Sequence, residues 1–536
     1  MPIIVMWSQV LLALLLVLNP FASPCHCVDA AKYNQDEVFL SSRTNPVVFD
    51  LSSSDSDEVP VVIFNAQDYS TTTSAQENSL DLTTTIPDQT RSMTNTSKKR
   101  KGSGLQRRHG RQRQEKQRVT DLSLESCFSN ETITNYLAAT STNHVTTFTD
   151  HSQSMIQGSH RFSLDLLKFL VNFENKDTSE GVMISPFSIW SSLIVLYMGS
   201  KGDTEKQLKT ALRLTDIPKT SIGSGYQGLR LWYSMKAANY SGNSKYAYSV
   251  ANKIFVRKGL DLDPCMSGNF ASDIEPINFS DPTNSISSIN AWVERMTRGK
   301  IKDFLSYGSL SPFSKLVIAN AVYFKSQWMV PFDESDSYDG EFMVNPVETM
   351  NVTFMKQTGS FSFGVNERLG VTVVELPYAT SAFSMIVLIP EVSRGVDSLM
   401  KLISVEDLRE LTSSLFMEDG IQIHLPKFKM EQQFELGGAL FSMGVKDVFD
   451  PRTSNLTGFF GDSEAVTVDT MVHKTMIQVN EEGTEAAAVT GIMMSRSGRP
   501  AFPTQIVVNR PFIFIIKDTA TNVILFNGIV RRPNAT

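Results

Sequence analysis

The chain predicts an α+β fold, carried by one large domain behind a long polar extension. Three observations lead there. Helical apolar stripes come mainly first and strand-like runs mainly last, no regular βαβ rhythm links them, and the hydrophobic residues, 41% of 536, gather after residue 160. The net charge of −7 is too small to demand a strongly acidic or basic partner.

Residues 1–23 contain a nine-residue apolar run from Val10 to Leu18, followed by the small residues Ala22 and Ser23. That run is short for a bilayer span and right for the core of a signal peptide. Secretion is therefore expected. No later segment is long and apolar enough to span a membrane. Asn-x-Ser/Thr sequons at Asn95, Asn130, Asn239, Asn278, Asn351, Asn455 and Asn534 become glycosylation candidates in a secreted chain. The four cysteines, Cys25, Cys27, Cys127 and Cys265, make no disulfide framework for a chain this long. A bridge between Cys127 and Cys265 and two free thiols are both open.

Residues 24–160 are rich in Ser, Thr, Asn and Asp and poor in aromatics, as in DLSSSDSDE and TTTSAQENSLDLTTT. Such a composition cannot bury enough surface to offset the entropy of ordering, so a disordered extension is expected. Within it, residues 98–118 carry ten Lys/Arg against one acid, Glu115. A solvated linker, a patch for a sulfated polysaccharide or other polyanion acting as activator, and a processing site all fit that charge. The secretory start argues against a nucleic-acid role.

From residue 161 the character changes. RFSLDLLKFLVNF (161–173) sets Phe162, Leu166, Leu170 and Phe173 on one helical face, and SSINAWVERMTRGK (287–300) does the same with Ile289, Val293 and Met296. LVIANAVYF (316–324) is apolar on both alternating faces, as a central strand should be. FSMIVLIP, IQIHLPKF, KTMIQVN, IVV, FIFII and VILF supply further strands.

Catalytic constellations are missing: there is no His-Glu-x-x-His, no Gly-x-Ser-x-Gly and no Walker loop. GSGYQG (223–228) has glycine spacing suited to a dinucleotide, but no buried strand precedes it and no acid follows about 20 residues on, so it is read as a loop. An enzyme, a metal site and a bound cofactor are not expected.

Five segments carry a resemblance. SPFSIWSSL (185–193), NAVYFKSQW (320–328), LPKFKME (425–431), NEEGTEAAAVT (480–490) and NRPFIFII (509–516) follow one another as the signature segments of a serpin do, with Ser326 where the family pattern has glycine. Residues 161–536 thus resemble a complete serpin domain. The resemblance implies helices packed on a large central sheet and an exposed reactive-centre loop that a serine protease cuts. The loop then inserts as an extra strand and carries the acylated protease with it.

It also implies roles for individual residues. Glu481, Glu482, Gly483, Thr484, Glu485, Ala486, Ala487 and Ala488 match the loop hinge. Ser185, Ser188, Asn320 and His473 match the shutter beneath the central strands, and Trp328 matches the breach where the loop enters. The hinge chemistry suits entry. With Thr484 as the first inward residue, the inward set is Thr484, Ala486, Ala488, Thr490, Ile492 and Met494, small before large. The outward set carries the only charge, Glu485, and a one-residue slip would bury it.

Counting from Glu481 places the reactive bond between Arg496 and Ser497, with the bonds after Ser497 and Arg499 as alternatives; Pro500 would hinder the last. Arginine at the bait implies a trypsin-like protease with an acidic specificity pocket, held covalently. From Gly483 to Arg496 is 13 steps, a travel of roughly 45 Å at about 3.3 Å per residue. A monomer is expected. The alternatives are a non-inhibitory serpin (carrier, storage protein or chaperone) and a polyanion-binding protein acting through its basic tail.

Overall fold

Pro186 opens a helix that is buried from Pro186 to Tyr197. The structure is a computed structural model and describes residues 150–173, 180–239, 246–379, 381–461, 465–484 and 503–534. In chain order its main elements begin with α1 (Asp150–Phe173), β1 (Gly181–Ile184), α2 (Pro186–Met198), α3 (Gly202–Ala211) and α4 (Lys219–Asn239). Next come β2 (Tyr246–Arg257), α5 (Pro264–Asn269), β3 (Ile274–Ile277), α6 (Pro282–Met296) and β4 (Leu316–Gln327). Then follow β5 (Tyr338–Asn345), β6 (Glu348–Asn366), β7 (Val371–Pro377), β8 (Phe383–Pro390), α7 (Gly395–Leu402) and α8 (Val405–Ser413). The last group is β9 (Phe416–Pro426), β10 (Phe428–Glu435), α9 (Gly437–Ser442), α10 (Thr457–Phe460), β11 (Thr470–Val479), β12 (Gly483–Thr484), β13 (Thr504–Val507), β14 (Phe512–Asp518) and β15 (Ile524–Val530).

The strands form two sheets, so the fold is α+β. One sheet runs β1-β15-β14-β8-β7-β6-β9-β13, with β5 added on β6; the other runs β10-β11-β12-β4-β2-β3. In the second sheet β4 is central, as its two apolar faces require, lying antiparallel to β2 and parallel to β11. One face of this sheet is covered by α6, whose Ile286, Ile289 and Val293 pack on Ala251, Ala319, Ala321, Val472 and Met476. The small alanines let the helix lie close across β2 and β4.

Four expectations need correction. Residues 150–160, assigned to the extension, form the first turns of α1, and Ser152, Met155, Ile156 and Ser159 are buried. Their polar neighbours masked that burial in composition. GSGYQG is not a loop but part of α4, because Gly225 has a packing duty: a Cβ there would overlap Met155 Sδ of α1. IQIHLPKF is not one strand. It divides at Lys427 between β9 and β10, which belong to different sheets, since Pro426 has no N–H to continue the ladder. Finally Met296, placed on the apolar face of α6, is the helix's last residue and is exposed. The signal-peptide reading and the basic segment lie outside the described residues.

Candidate functional site: the parted strands and their hinge

The site is built where β4 and β11 cease to pair. They run in parallel register from Val317 opposite Thr470 to Tyr323 opposite Met476. Above that point they separate, and β12 stands in the gap, with Thr484 paired both to Val479 of β11 and to Ser326 of β4. The chain reaches this position by doubling back after β11: Asn480 N–H donates to Gly483 O at 2.8 Å and Gly483 N–H to Asn480 O at 3.2 Å. Gly483 has φ 153°, and a Cβ there would overlap the Ser326 carbonyl oxygen. Glycine is required.

Every residue of the described hinge is held. Trp328 N–H donates to Glu482 O at 2.9 Å, Phe332 N–H to Glu481 O at 2.8 Å, and the Trp328 indole N–H to Asn480 O at 3.0 Å. The Glu481 carboxylate is buried, bound by Lys427 Nζ at 2.5 Å and by Ser337 Oγ at 2.6 Å. Burial alone would raise this carboxyl, but those partners outweigh it and hold it below the usual glutamate range. Glu482 goes the other way: burial raises it, helped by Glu334 and Glu481 and opposed by Lys325. Thr484 is buried, and its hydroxyl meets Tyr378 OH at 2.8 Å. Trp328 stacks on the Tyr378 ring at 4.7 Å and 7°.

Lower on the same seam lies a polar cluster in an apolar setting. His473 and Asn320 face each other across β11 and β4. Ser185 N–H donates to His473 Nε2 at 3.0 Å, while Ser185 Oγ donates to Leu525 O at 2.7 Å. Asn320 Nδ2 donates to Ser192 Oγ at 2.7 Å and to Asn252 Oδ1 at 3.1 Å, and Ser188 Oγ bonds the same Asn252 oxygen at 2.6 Å. Since Nε2 accepts, the imidazole is neutral, and burial pulls its pKa down to about 3. Buried His473 Nδ1, Asn320 Oδ1 and Ser326 Oγ find no partner among the described residues.

The structure therefore brings Ser185, Ser188, Asn320 and His473 to one cluster and Glu481, Glu482, Gly483, Thr484 and Trp328 to another. Glu485, Ala486, Ala487, Ala488, Arg496 and Ser497 lie outside the described residues. Sequence reasoning missed Asn252, Ser192, Tyr378, Lys427 and Ser337. Ser192 was within reach, one helical turn after Ser188. Lys427 stood unremarked in LPKF. Asn252 and Ser337 have no local signal.

Comparison with known proteins decides the family. The pattern of the serpin family (serine protease inhibitor) matches residues 157–533. The chain is a serpin. It is 33% identical over 384 residues to the leukocyte elastase inhibitor of Bos taurus, covering 70% of this chain and 98% of that protein. To serine protease inhibitor 88Ea of Drosophila melanogaster it is 30% identical over 402 residues, 72% and 92% of the two chains. Among solved serpin structures, uncleaved ovalbumin aligns with TM-score 0.62 at 28% identity, covering 71% of this chain and all of that one. Human thyroxine-binding globulin complexed with its hormone aligns at 0.63 over 72% of this chain and all of the other, at 23% identity, a likeness of fold alone.

Among the sequons of this serpin, Asn278, Asn351 and Asn534 are exposed. Asn455 is half-buried, with its side-chain oxygen accepting from Thr457 Oγ1 at 2.8 Å. Asn239 closes α4, and Asn95 and Asn130 fall outside the described residues. Cys265 is disulfide-bonded, so it is not a free thiol; the other three cysteines lie outside the described residues.

Proposed function

We propose that this serpin inhibits a trypsin-like serine protease as a suicide substrate. The protease serine attacks the Arg496 carbonyl carbon, the bond to Ser497 breaks, and the Ser497 amine leaves with a proton, giving an ester between enzyme and Arg496. Residues from Glu485 onward then continue the strand that β12 has begun. One observation carries the reading: Gly483 and Thr484 already stand between β11 and β4, at the head of a segment whose next inward residues are Ala486, Ala488 and Thr490. Entry needs no new gap at the top of the sheet, only its extension downward. The names of the relatives in cattle and Drosophila support inhibition as the activity.

A carrier or storage role would tolerate a bulky, charged or proline-containing hinge, and none of these occurs at 484, 486, 488 or 490. Secretion is part of the proposal, supported by the apolar run from Val10 to Leu18 and by the bonded Cys265, since disulfides persist in oxidising compartments. So is an accelerating sulfated polysaccharide bound by residues 98–118, supported by their charge alone.

Incubation of the full chain with trypsin tests the reading. A complex stable in denaturing electrophoresis is expected, along with a released peptide whose mass begins at Ser497. Cleavage with fully active trypsin left behind would overturn inhibition, and a peptide beginning at Gly498 or Pro500 would move the bait.

A further inference from the structure

Tyr378 lies outside the motifs of the hinge and has no local reason to be buried as a phenol. It follows β7 and bridges to Trp328 across the sheet junction. Trp328 stacks on one part of its ring, and Phe324 meets it edge-on at 5.2 Å and 70°. The ring is fixed by packing, and its hydroxyl is aimed into the gap between β4 and β11. There its partner among the described residues is Thr484 Oγ1, at 2.8 Å. Both residues are fully buried, with no accessible surface.

From this juxtaposition we propose that Tyr378 is a positioning residue for loop entry: its hydroxyl pins the register in which the new strand forms. The proposal rests on the insertion reading above and adds to it a determinant outside the loop. A strand sliding between two others can stop at any residue unless something distinguishes one stop from the next, and backbone ladders are indifferent to side chains. A buried hydroxyl supplies the distinction, because leaving it unpaired costs its full desolvation. Moved by one residue, the loop would present Gly483, with no side chain, or Glu485, a carboxylate in an apolar wall. Moved by two, it would present Glu482 or Ala486. Beyond Thr484, the next inward residue able to bond the phenol is Thr490, six positions on. Only one nearby register pairs Tyr378 without burying a carboxylate, and it is the one that turns the small residues inward and keeps Glu485 out.

Three variants of the full chain test this. Tyr378→Phe keeps the stack on Trp328 and removes the hydroxyl; Thr484→Val keeps the shape and removes the partner; Thr484→Ser keeps a hydroxyl. In the uncleaved protein, amide hydrogen exchange at Gly483 and Thr484 is expected to quicken by about tenfold in Tyr378→Phe and in Thr484→Val. It should quicken no further in the double variant and stay near wild type in Thr484→Ser. Cleaved at the loop, Tyr378→Phe is expected to gain less thermal stability than cleaved wild type, and to consume more inhibitor molecules per trypsin trapped. Additive effects in the double variant, failure of Thr484→Ser to rescue, or unchanged exchange in Tyr378→Phe would each overturn the pin. If cleaved wild type gains no stability at all, the insertion reading itself falls, an outcome distinct from normal wild-type gain with an indifferent Tyr378→Phe.

Discussion

His473 shows how a single side chain ties the sheet to pH. Its ring is buried and neutral, with its pKa lowered by burial from 6.5 to about 3, and Nε2 receives the Ser185 amide. A histidine lowered in the folded state binds its proton more readily when unfolded. Its contribution to stability is therefore complete above pH 6.5 and is lost as the pH falls from 6.5 toward 3. At 1.36 kcal/mol per pH step, the loss by pH 4.5 amounts to about 2–3 kcal/mol. His160 and His424 are also lowered by burial and act in the same direction, so the informative quantity is a difference. Urea unfolding of wild type and His473→Gln at pH 7 and pH 4.5 should show wild type losing about 2–3 kcal/mol more than the variant. Equal losses would mean that His473 is protonated in the folded sheet. Glu481 adds a separate term below about pH 4.5, where protonation weakens its bonds to Lys427 and Ser337.

At the scale of the element, β12 is a strand of two residues whose side chains decide whether it can lengthen. Thr484 occupies a fully buried place between β4 and β11, next to Tyr378, whose ring stacks on Trp328. An arginine there would bring an unpaired charge into that wall, at a cost of several kcal/mol, and would hold the hinge outside the sheet. Thr484→Arg should accordingly be cut by trypsin at the same bond as wild type but leave the enzyme active, and its melting temperature should not rise after cutting. A trapped complex with this variant would show that entry does not begin at residue 484. The inward place of Thr484 was legible from alternation, because period two follows from the strand itself. That the hinge already occupies the gap before cleavage was not, since a two-residue strand leaves no periodic trace.

For the whole molecule, the decisive feature is that the domain begins earlier than its composition suggests. Residues 150–160 look like the polar tract before them, yet they form helix and bury Met155 and Ile156 against the body of the domain. In a Cys265→Ser background, where loss of the disulfide partner no longer matters, removing residues 1–149 should leave chemical stability and trypsin trapping unchanged, while reducing affinity for a sulfated polysaccharide. Removing residues 1–160 should cost about 3–6 kcal/mol, from the apolar surface of those two side chains alone. Equal stability of the two truncated chains, measured by urea unfolding, would place the boundary back at residue 161.

The α+β class, the family, the central place of β4 and the inward place of Thr484 could all be read from the chain, because each is written in neighbouring residues as a period or a motif. Tertiary structure alone decided that Asn252 would join Asn320 and Ser188, that Lys427 would meet Glu481, that Gly225 would serve a helix crossing, and that Tyr378 would face Thr484. These partners stand tens to more than a hundred residues apart. A lysine or tyrosine has the same local chemistry on the surface as in a core. Only folding removes the water that would otherwise satisfy it, and only then does the identity of the facing residue carry a free-energy consequence.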